Sequence, residues 1–178
     1  MQIKSLYKIK VSVVLLVLCL YAGTLRAQTE EREADLKAAF IYNFTKYIEW
    51  DSTNAGNDFV VGIIGSSSVT NALIEIAKTN TVKNRRIIIK RFNKPEDIGY
   101  CNILFISQAS SFSLSSILNQ VGKGVLTISE ADGFARMGTA LNFIILNNKL
   151  KFEANLKVID AAGLSASSQL LKLAIIIN

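Results

Sequence analysis

The stretch LKAAFIYNFTKYIEW, residues 36–50, holds five of the chain's fifteen aromatic residues. Its apolar side chains recur at the spacing of a helix face and include Leu36, Phe40, Phe44 and Tyr47. Burying each ring is worth roughly 1.5–3 kcal/mol, so a soluble domain cannot leave this face in water. We therefore predict a helix that has Thr29 as a candidate N-cap and continues through 36–50. It packs against a sheet, with Lys37 and Lys46 at its solvent-exposed edge.

Residues 1–27, which precede this region, carry the pattern of a secretory signal peptide. A positively charged start is followed by an apolar run and then by Ala27, a small residue suited to cleavage. The apolar run, 11–23, is shorter than the roughly 20 residues that a membrane helix needs. We predict a cleaved signal peptide over 1–27 and an exported mature domain over 28–178; an uncleaved N-terminal anchor is the alternative.

The net charge argues against a nucleic-acid partner once the signal peptide is removed. The full chain carries 20 Lys and Arg against 14 Asp and Glu, a formal charge of +6. Four of the basic residues and none of the acidic ones lie in 1–27, so the mature domain carries +2. Nonspecific binding to nucleic acid depends on a large positive excess. We predict no nucleic-acid partner and no membrane insertion after cleavage.

The middle of the chain alternates short apolar runs with helical patterns. Strands are predicted at 59–64, 86–92, 102–106 and 125–129. Helices are predicted at 69–78 and 107–122, with one helical turn at 95–98. Such alternation implies parallel strands joined by right-handed crossovers.

The pattern changes toward the C-terminus. Two predicted strands, 140–146 and 150–154, flank Asn147-Asn148-Lys149, which is typical of a hairpin turn. Two further helices are predicted at 155–162 and 165–173. We therefore predict an α/β fold: a three-layer single domain with a mixed, mostly parallel sheet and a C-terminal antiparallel hairpin.

The chain lacks the side chains of the common catalytic sites. It contains no histidine, which excludes Ser-His and Cys-His catalysis and removes the commonest metal ligand. The acidic residues show no motif spacing, and no phosphate-binding or dinucleotide fingerprint is present. Cys101 is the one cysteine of the mature domain, and a buried, inert thiol is favoured over a reactive one. We predict no enzymatic activity, no cofactor and no metal.

Two further features each leave two interpretations open. Gly65, Ser66 and Ser67 lie between a predicted strand and a predicted helix, where they can cap the helix or bind an anion on backbone N–H groups. A basic patch surrounds the second predicted strand and comprises Lys83, Arg85, Arg86, Lys90 and Arg91. These charges either protect an edge strand from aggregation or form a surface for an acidic partner.

Three stretches, in this order along the chain, resemble the YfiR family. The stretches are 36–50; then 101–107 with 125–138; then 141–155 with 162–174. Their order and spacing cover essentially the whole mature domain. The resemblance implies a periplasmic protein that forms homodimers and binds the periplasmic part of a membrane-bound diguanylate cyclase. By inhibiting that cyclase, such a protein lowers cyclic di-GMP and biofilm formation. Family members often carry paired cysteines, whereas Cys101 has no partner in the mature sequence.

The expected contact surface follows from the change from parallel to antiparallel strands. Ligands of doubly wound sheets gather where the topology changes, so we expect partner contacts in the segment 130–136 and near Glu153. The candidate contact residues are Glu130, Asp132, Phe134, Arg136 and Glu153. The alternative for this segment is a tight turn with a helix cap. The alternative function is a periplasmic small-molecule sensor, with a cleft beside 65–68, that signals to a membrane partner.

Overall fold

The computed structural model describes residues 29–50 and 57–177. The chain divides into two compact units, Met1–Glu33 and Ala34–Asn178. Of the first unit, residues 29–33 are described, and all of them are helical. The predicted signal peptide, 1–27, lies outside the described residues. All elements below belong to the second unit.

The aromatic stretch forms a helix, a turn and a strand, which corrects the prediction of one continuous helix over 36–50. The helix α1 covers 34–44, and β1 follows at Ile48–Trp50. Thr45 ends the helix because its N–H and its hydroxyl both donate to the carbonyl of Tyr42, at 3.1 and 2.6 Å. The backbone of β1 then pairs antiparallel with β9, Leu164–Ala166.

Strand β1 is also anchored by its tryptophan. The Trp50 Nε1–H donates to the carbonyl of Asn102 at 3.2 Å, and the indole packs edge-on against Phe59 at 5.3 Å between ring centroids. Leu164 is buried opposite Trp50 in the β1–β9 pair. The predicted helix over 165–173 therefore begins later, because 164–166 completes this two-stranded sheet.

Within 29–50 and 57–177, the main sheet has eight strands and is mixed but mostly parallel, as predicted. Its members are β2 (Asp58–Ile64), β3 (Thr81–Val82), β4 (Arg85–Phe92), β5 (Ile103–Ile106), β6 (Leu126–Ser129), β7 (Leu141–Leu146), β8 (Lys149–Asn155) and β10 (Ile175–Ile177). Their spatial order is β10-β8-β7-β6-β5-β2-β4-β3. Neighbouring strands are parallel except in the two hairpins, β3–β4 and β7–β8. The C-terminal hairpin is confirmed, and its turn residues Asn147 and Asn148 both have positive φ, 52° and 56°.

Most helices between the strands are short, with five or six residues in all but α2. They are α2 (Val69–Thr79), α3 (Leu114–Leu118), α4 (Leu156–Ala161) and α5 (Ser168–Leu173), with one 3₁₀ turn at Pro95–Asp97. The helix predicted over 107–122 is reduced to α3. The serines before it bond to nearby backbone instead of continuing a helix. Ser107 and Ser110 accept from the N–H groups of Ala109 and Phe112, and Ser113 caps α3 by accepting from Ser116.

The sheet is covered on both faces, which confirms the three-layer prediction. Along β2, the side chains of Phe59, Val61 and Ile63 join a large core that includes α1 and α2. The alternate residues Val60 and Ile64 join a smaller core that includes α3. A parallel sheet with both faces buried has nearly continuous apolar strands, and this is the pattern seen in β2, β5 and β6.

Four phenylalanines hold α1 against the C-terminal hairpin. The ring of Phe44 lies 4.9 Å from that of Phe152 and 6.0 Å from that of Phe143, between centroids. Phe40 lies about one helical turn away and contacts both strands at 6.0–6.1 Å. Phe44 is 1% exposed. The aromatic residues of the opening stretch are therefore core residues.

We expect Phe44→Ala to lower the free energy of unfolding by about 3–5 kcal/mol, because it removes a fully buried ring from a packed cluster. Urea titration followed by circular dichroism measures the change. Leu36→Ala, on the same helix but 47% exposed, is the matched control and should change stability by less than about 0.5 kcal/mol. Equal effects of the two substitutions would contradict the packing described here.

Candidate functional site

The carboxyl ends of the parallel strands form a switch point between β2 and β5. After β2 the chain passes through α2 to β4 on one side, and it then returns to β5 on the other side of β2. The loops after β2 and β5 therefore leave the sheet in opposite directions. In doubly wound sheets this is the place where ligands bind.

Hydrogen bonds join the two loops at the switch point. The Ser107 hydroxyl donates to the carbonyl of Ser66 at 2.6 Å. Gly65 has a φ of +89°, and a Cβ there would lie 3.0 Å from the backbone of Ser110. A side chain at position 65 would thus be strained and would press on the neighbouring loop. The close approach of the loops requires this glycine.

The predicted anion site at Gly65, Ser66 and Ser67 leads into α2, whose N-cap residue, Ser68, makes no side-chain capping bond. The Ser67 hydroxyl accepts from the N–H of Val69, the first residue of α2, at 3.2 Å. The next two N–H groups, of Thr70 and Asn71, bond to the carbonyls of Ser67 and Ser68. The loop thus satisfies the first N–H groups of α2, which supports the capping interpretation, and anion binding stays a prediction.

A charged pair lies at the same edge of the sheet. The Lys37 ammonium is 2.7 Å from the Glu130 Oε2, and their side chains are 12% and 10% exposed. The other Glu130 oxygen accepts from the N–H of Gln108, after β5, at 3.3 Å. Glu130 thus connects α1, the loop after β5 and the end of β6. The prediction that Lys37 lies at the solvent-exposed edge of its helix is wrong.

A chain of buried polar side chains continues from this edge into the sheet. The Thr139 and Ser129 hydroxyls are 2.8 Å apart, and the Ser129 hydroxyl donates to the Asn142 Oδ1 at 2.7 Å. The Asn142 amide then donates to the Glu153 Oε2 at 3.0 Å. All four residues are at most 7% exposed. The Ser129 hydroxyl has a single hydrogen, which it donates to Asn142, so the Thr139 hydroxyl must be the donor to Ser129. Every donor in this series of hydrogen bonds therefore points toward the Glu153 carboxyl group.

The five predicted contact residues differ in how far they are exposed to solvent. Asp132 and Arg136 are exposed, and Phe134 is half-buried against the smaller core. Glu130 is held in its ion pair, and Glu153 is buried beneath the surface. The segment 130–136 does lie beside the end of β8, because the Asn155 amide donates to the carbonyl of Ala135 at 2.8 Å. Its role in partner binding stays a prediction.

Cys101 has the environment expected of an inert thiol. It is 1% exposed in the smaller core, and it forms no disulfide with any residue that the structure describes. Burial raises the pKa of the thiol to about 11, although a backbone hydrogen bond from Gly62 and the charge of Lys90 act in the opposite direction. The reactive thiolate is therefore scarce at neutral pH.

The described residues contain neither a cluster suited to a metal ion nor a helix suited to a bilayer. In 29–50 and 57–177, no group of three or more His, Cys, Asp or Glu side chains is placed to hold a metal ion. No helix in these ranges has the length and apolar character needed to cross a bilayer.

A known protein family matches most of the chain. The model of the family described as YfiR/HmsC-like matches residues 34–175. This range contains β1 through β9, α1 through α5 and the first residue of β10. No curated protein matches the chain.

The Lys37–Glu130 pair should contribute to stability as a unit. We expect Lys37→Met to lower the free energy of unfolding by about 3 kcal/mol, because it leaves the Glu130 carboxylate mostly buried without its counter-ion. Combining it with Glu130→Gln should cost less than the sum of the two single changes. Urea titration of the four proteins of this cycle gives the coupling. Lys46→Met, at an exposed position on the same stretch, is the control for loss of a lysine charge. Additive effects in the cycle, or a loss at Lys37 no greater than at Lys46, would contradict this contribution.

Cys101 should react slowly with thiol reagents. In a Cys19→Ser background it is the sole thiol. Its alkylation at pH 8 should be about 100-fold slower in the folded than in the urea-unfolded protein, because the folded pKa of about 11 lies above the ordinary thiol pKa of 9.0. The unfolded chain ionises first as pH rises, so stability should fall between pH 9 and 11. Cys101→Ala, which cannot ionise, should show a smaller fall. The same pH dependence in both proteins would exclude a contribution from this thiol.

Proposed function

This chain belongs to the YfiR/HmsC-like family, and from that membership we propose that it is a periplasmic regulatory protein that inhibits a membrane-bound sensor. The sensor we propose is a diguanylate cyclase, bound through its periplasmic part. Holding that cyclase inactive lowers cyclic di-GMP and biofilm formation. The proposed active form is a homodimer exported through the signal peptide over 1–27. The observation that carries this proposal is the family match over 34–175.

The chemistry of the sheet edge supports binding rather than catalysis. The polar side chains that meet there are bonded within the fold: Lys37 to the Glu130 carboxylate, the Ser107 hydroxyl to the backbone carbonyl of Ser66, and the Asn142 amide to the Glu153 carboxyl group. Each of these contacts joins separate elements of the fold. The sequence supplies no histidine to activate a serine or cysteine. A protein of this kind acts most readily by contact with another protein.

The surface of the segment between β6 and β7 is the proposed contact with the sensor. Asp132 and Arg136 are exposed on it, and Met137 is 61% exposed beside them. Below it, Glu130 and Glu153 are held by Lys37 and Asn142. We assign a contact role to the exposed residues and a positioning role to the two buried carboxyl groups. Phe134 anchors the segment to the smaller core.

The proposed regulation can be tested in cells. Deleting the gene should raise cyclic di-GMP and surface attachment, and supplying the full chain should restore both. A form without residues 1–27 should stay in the cytosol and fail to restore them. Unchanged cyclic di-GMP after deletion would contradict the cyclase as target, whereas full restoration by the cytosolic form would contradict a periplasmic site of action.

The same assay tests the contact surface. The double substitution Asp132→Lys/Arg136→Glu should weaken restoration, because it reverses both exposed charges without changing the net charge. The matched control is Lys123→Glu/Asp160→Lys, an equivalent reversal at two exposed positions elsewhere. Circular dichroism must show both variants folded. Equal restoration by the two variants would remove Asp132 and Arg136 from the contact.

A small-molecule sensor is the second candidate, and the switch point between β2 and β5 is the observation that favours it. Its ligand would contact the loops after these strands, where Ser66 and Ser107 are already hydrogen-bonded to each other. Native mass spectrometry of the exported protein tests for such a ligand. A protein purified without any bound molecule, and unaffected in a thermal-shift screen of envelope metabolites, would count against this function.

A further inference from the structure

Strand β4 is covered by another strand along only part of its outer side. On one side it pairs with β2 over its length, from Asp58↔Arg86 to Ile64↔Phe92. On the other side β3 pairs only with Arg85 and Arg86. Among the residues that the structure describes, no strand pairs with Ile87–Phe92 on that side. Six residues of β4 thus present an open sheet edge.

The hairpin geometry shows which backbone groups point to this edge. The turn residues Lys83 and Asn84 both have positive φ, 49° and 62°, as in a two-residue type I′ turn. Val82 and Arg85 flank the turn and face each other. Because backbone groups alternate in direction along a strand, the N–H groups of Ile87, Ile89 and Arg91 point outward. An extended chain that lies there could accept from these donors.

Charge is concentrated at the same place. Residues 81–94 contain six Lys and Arg and no Asp or Glu, although the mature domain as a whole carries only +2. Some of these charges are used within the fold. Arg85 donates to the carbonyl of Asp58 and lies over the Phe59 ring, 5.4 Å from its centroid, while Arg86 pairs with the Asp58 carboxylate at 3.1 Å. Arg85 and Arg86 are thus engaged by neighbours at the start of β2.

The cations along the open edge are not neutralised in this way. Lys90 and Arg91 are exposed, and neither forms an ion pair within the described part of the chain. As neighbours in one strand they project to opposite faces of the sheet. The half-buried Ile88 and Ile89 precede them. The edge therefore combines outward N–H donors, a partly apolar strand and one cation on each face.

We propose that the open edge of β4 is a docking site for an extended acidic segment of a protein partner. The segment adds to the sheet as a strand beside Ile87–Phe92 and places carboxylates next to Lys90 and Arg91. A strand is favoured over a nucleic acid or an anionic membrane because phosphate groups would match the cations but not the evenly spaced N–H donors. This proposal applies to any protein partner and does not depend on the cyclase being the target.

The competing explanation is that the charges only keep two open edges apart. Lysines and arginines on edge strands commonly prevent edge-to-edge aggregation. That role predicts self-association when Lys90 and Arg91 lose their charge, and it predicts no affinity for an acidic strand. The two explanations therefore differ in what binds to the unaltered protein.

The probe is a short synthetic peptide of alternating glutamate and valine, blocked at both ends, and its control replaces every glutamate by lysine. Calorimetry should detect binding of the acidic peptide to the protein and no binding of the lysine peptide. Amide hydrogen exchange should slow at Ile87, Ile89 and Arg91. Lys90→Glu/Arg91→Glu should weaken binding about tenfold or more. Lys123→Glu/Lys157→Glu, the same charge change at two exposed positions elsewhere, should leave binding unchanged.

A second pair of variants isolates the backbone donor. Arg91→Pro removes both the charge and an outward N–H, while Arg91→Ala removes the charge alone; proline is tolerated where an edge N–H faces solvent. Weaker binding by Arg91→Pro than by Arg91→Ala is expected, with circular dichroism confirming that both fold. Equal binding of the two variants would overturn strand addition.

Three other results would also overturn the proposal. The first is no difference between the acidic and the lysine peptide. The second is binding of a DNA duplex or of phosphatidylglycerol vesicles while the acidic peptide leaves the three amides unchanged, which would indicate a phosphate-binding surface. The third is self-association of Lys90→Ala/Arg91→Ala together with no peptide binding by the unaltered protein, which would leave the charges as protection of the edge.

Discussion

The packing of α1 on the sheet is the interaction on which the rest of the structure depends. Ala34, Lys37, Ile41 and Phe44 are spaced three and four residues apart, so they form one face of the helix. Three of them are at most 4% exposed, and the fourth is the lysine of the charged pair. Burying the apolar residues necessarily carries Lys37 toward the sheet, where its charge requires a partner. Glu130, at the end of β6, supplies it.

The same spacing shows how much of the site could be predicted from sequence. The face that contains Phe44 also contains Lys37, so its burial could have been inferred from helical periodicity alone. Its partner could not, because Glu130 lies 93 residues away and the two meet only after the sheet forms. Likewise Asn142 and Glu153 face each other only because the hairpin pairs them. Local patterns predict which residues are buried, but not which distant polar groups come together.

The fold was more accessible to prediction than the site because its strands are apolar and its turns are chemically distinctive. The strands β2, β4, β5 and β6, together with the β7–β8 hairpin, were all predictable from periodicity and turn residues. Two of the errors, at 48–50 and at 164–166, have the same cause. At Ile48–Trp50 and at Leu164–Ala166, residues with a helical pattern pair with each other as strands. Long-range pairing of this kind overrides local propensity, and a single sequence does not reveal it.

One edge of the main sheet is apolar and the other is positively charged, and this difference affects which chains can pair with each edge. At one edge, β10 consists of three isoleucines, with Ile176 38% exposed and Leu173 67% exposed just before it. At the other edge, β4 carries Lys90 and Arg91, which form no ion pair with any residue that the structure describes. A two-fold contact places an edge against a second copy of itself, and at β4 this would oppose like charges, which destabilises strand pairing. The β4 edge is thus suited to a different, acidic chain, whereas no such repulsion arises at β10. A homodimer built through the β10 edge would leave the β4 edge open for a regulatory partner.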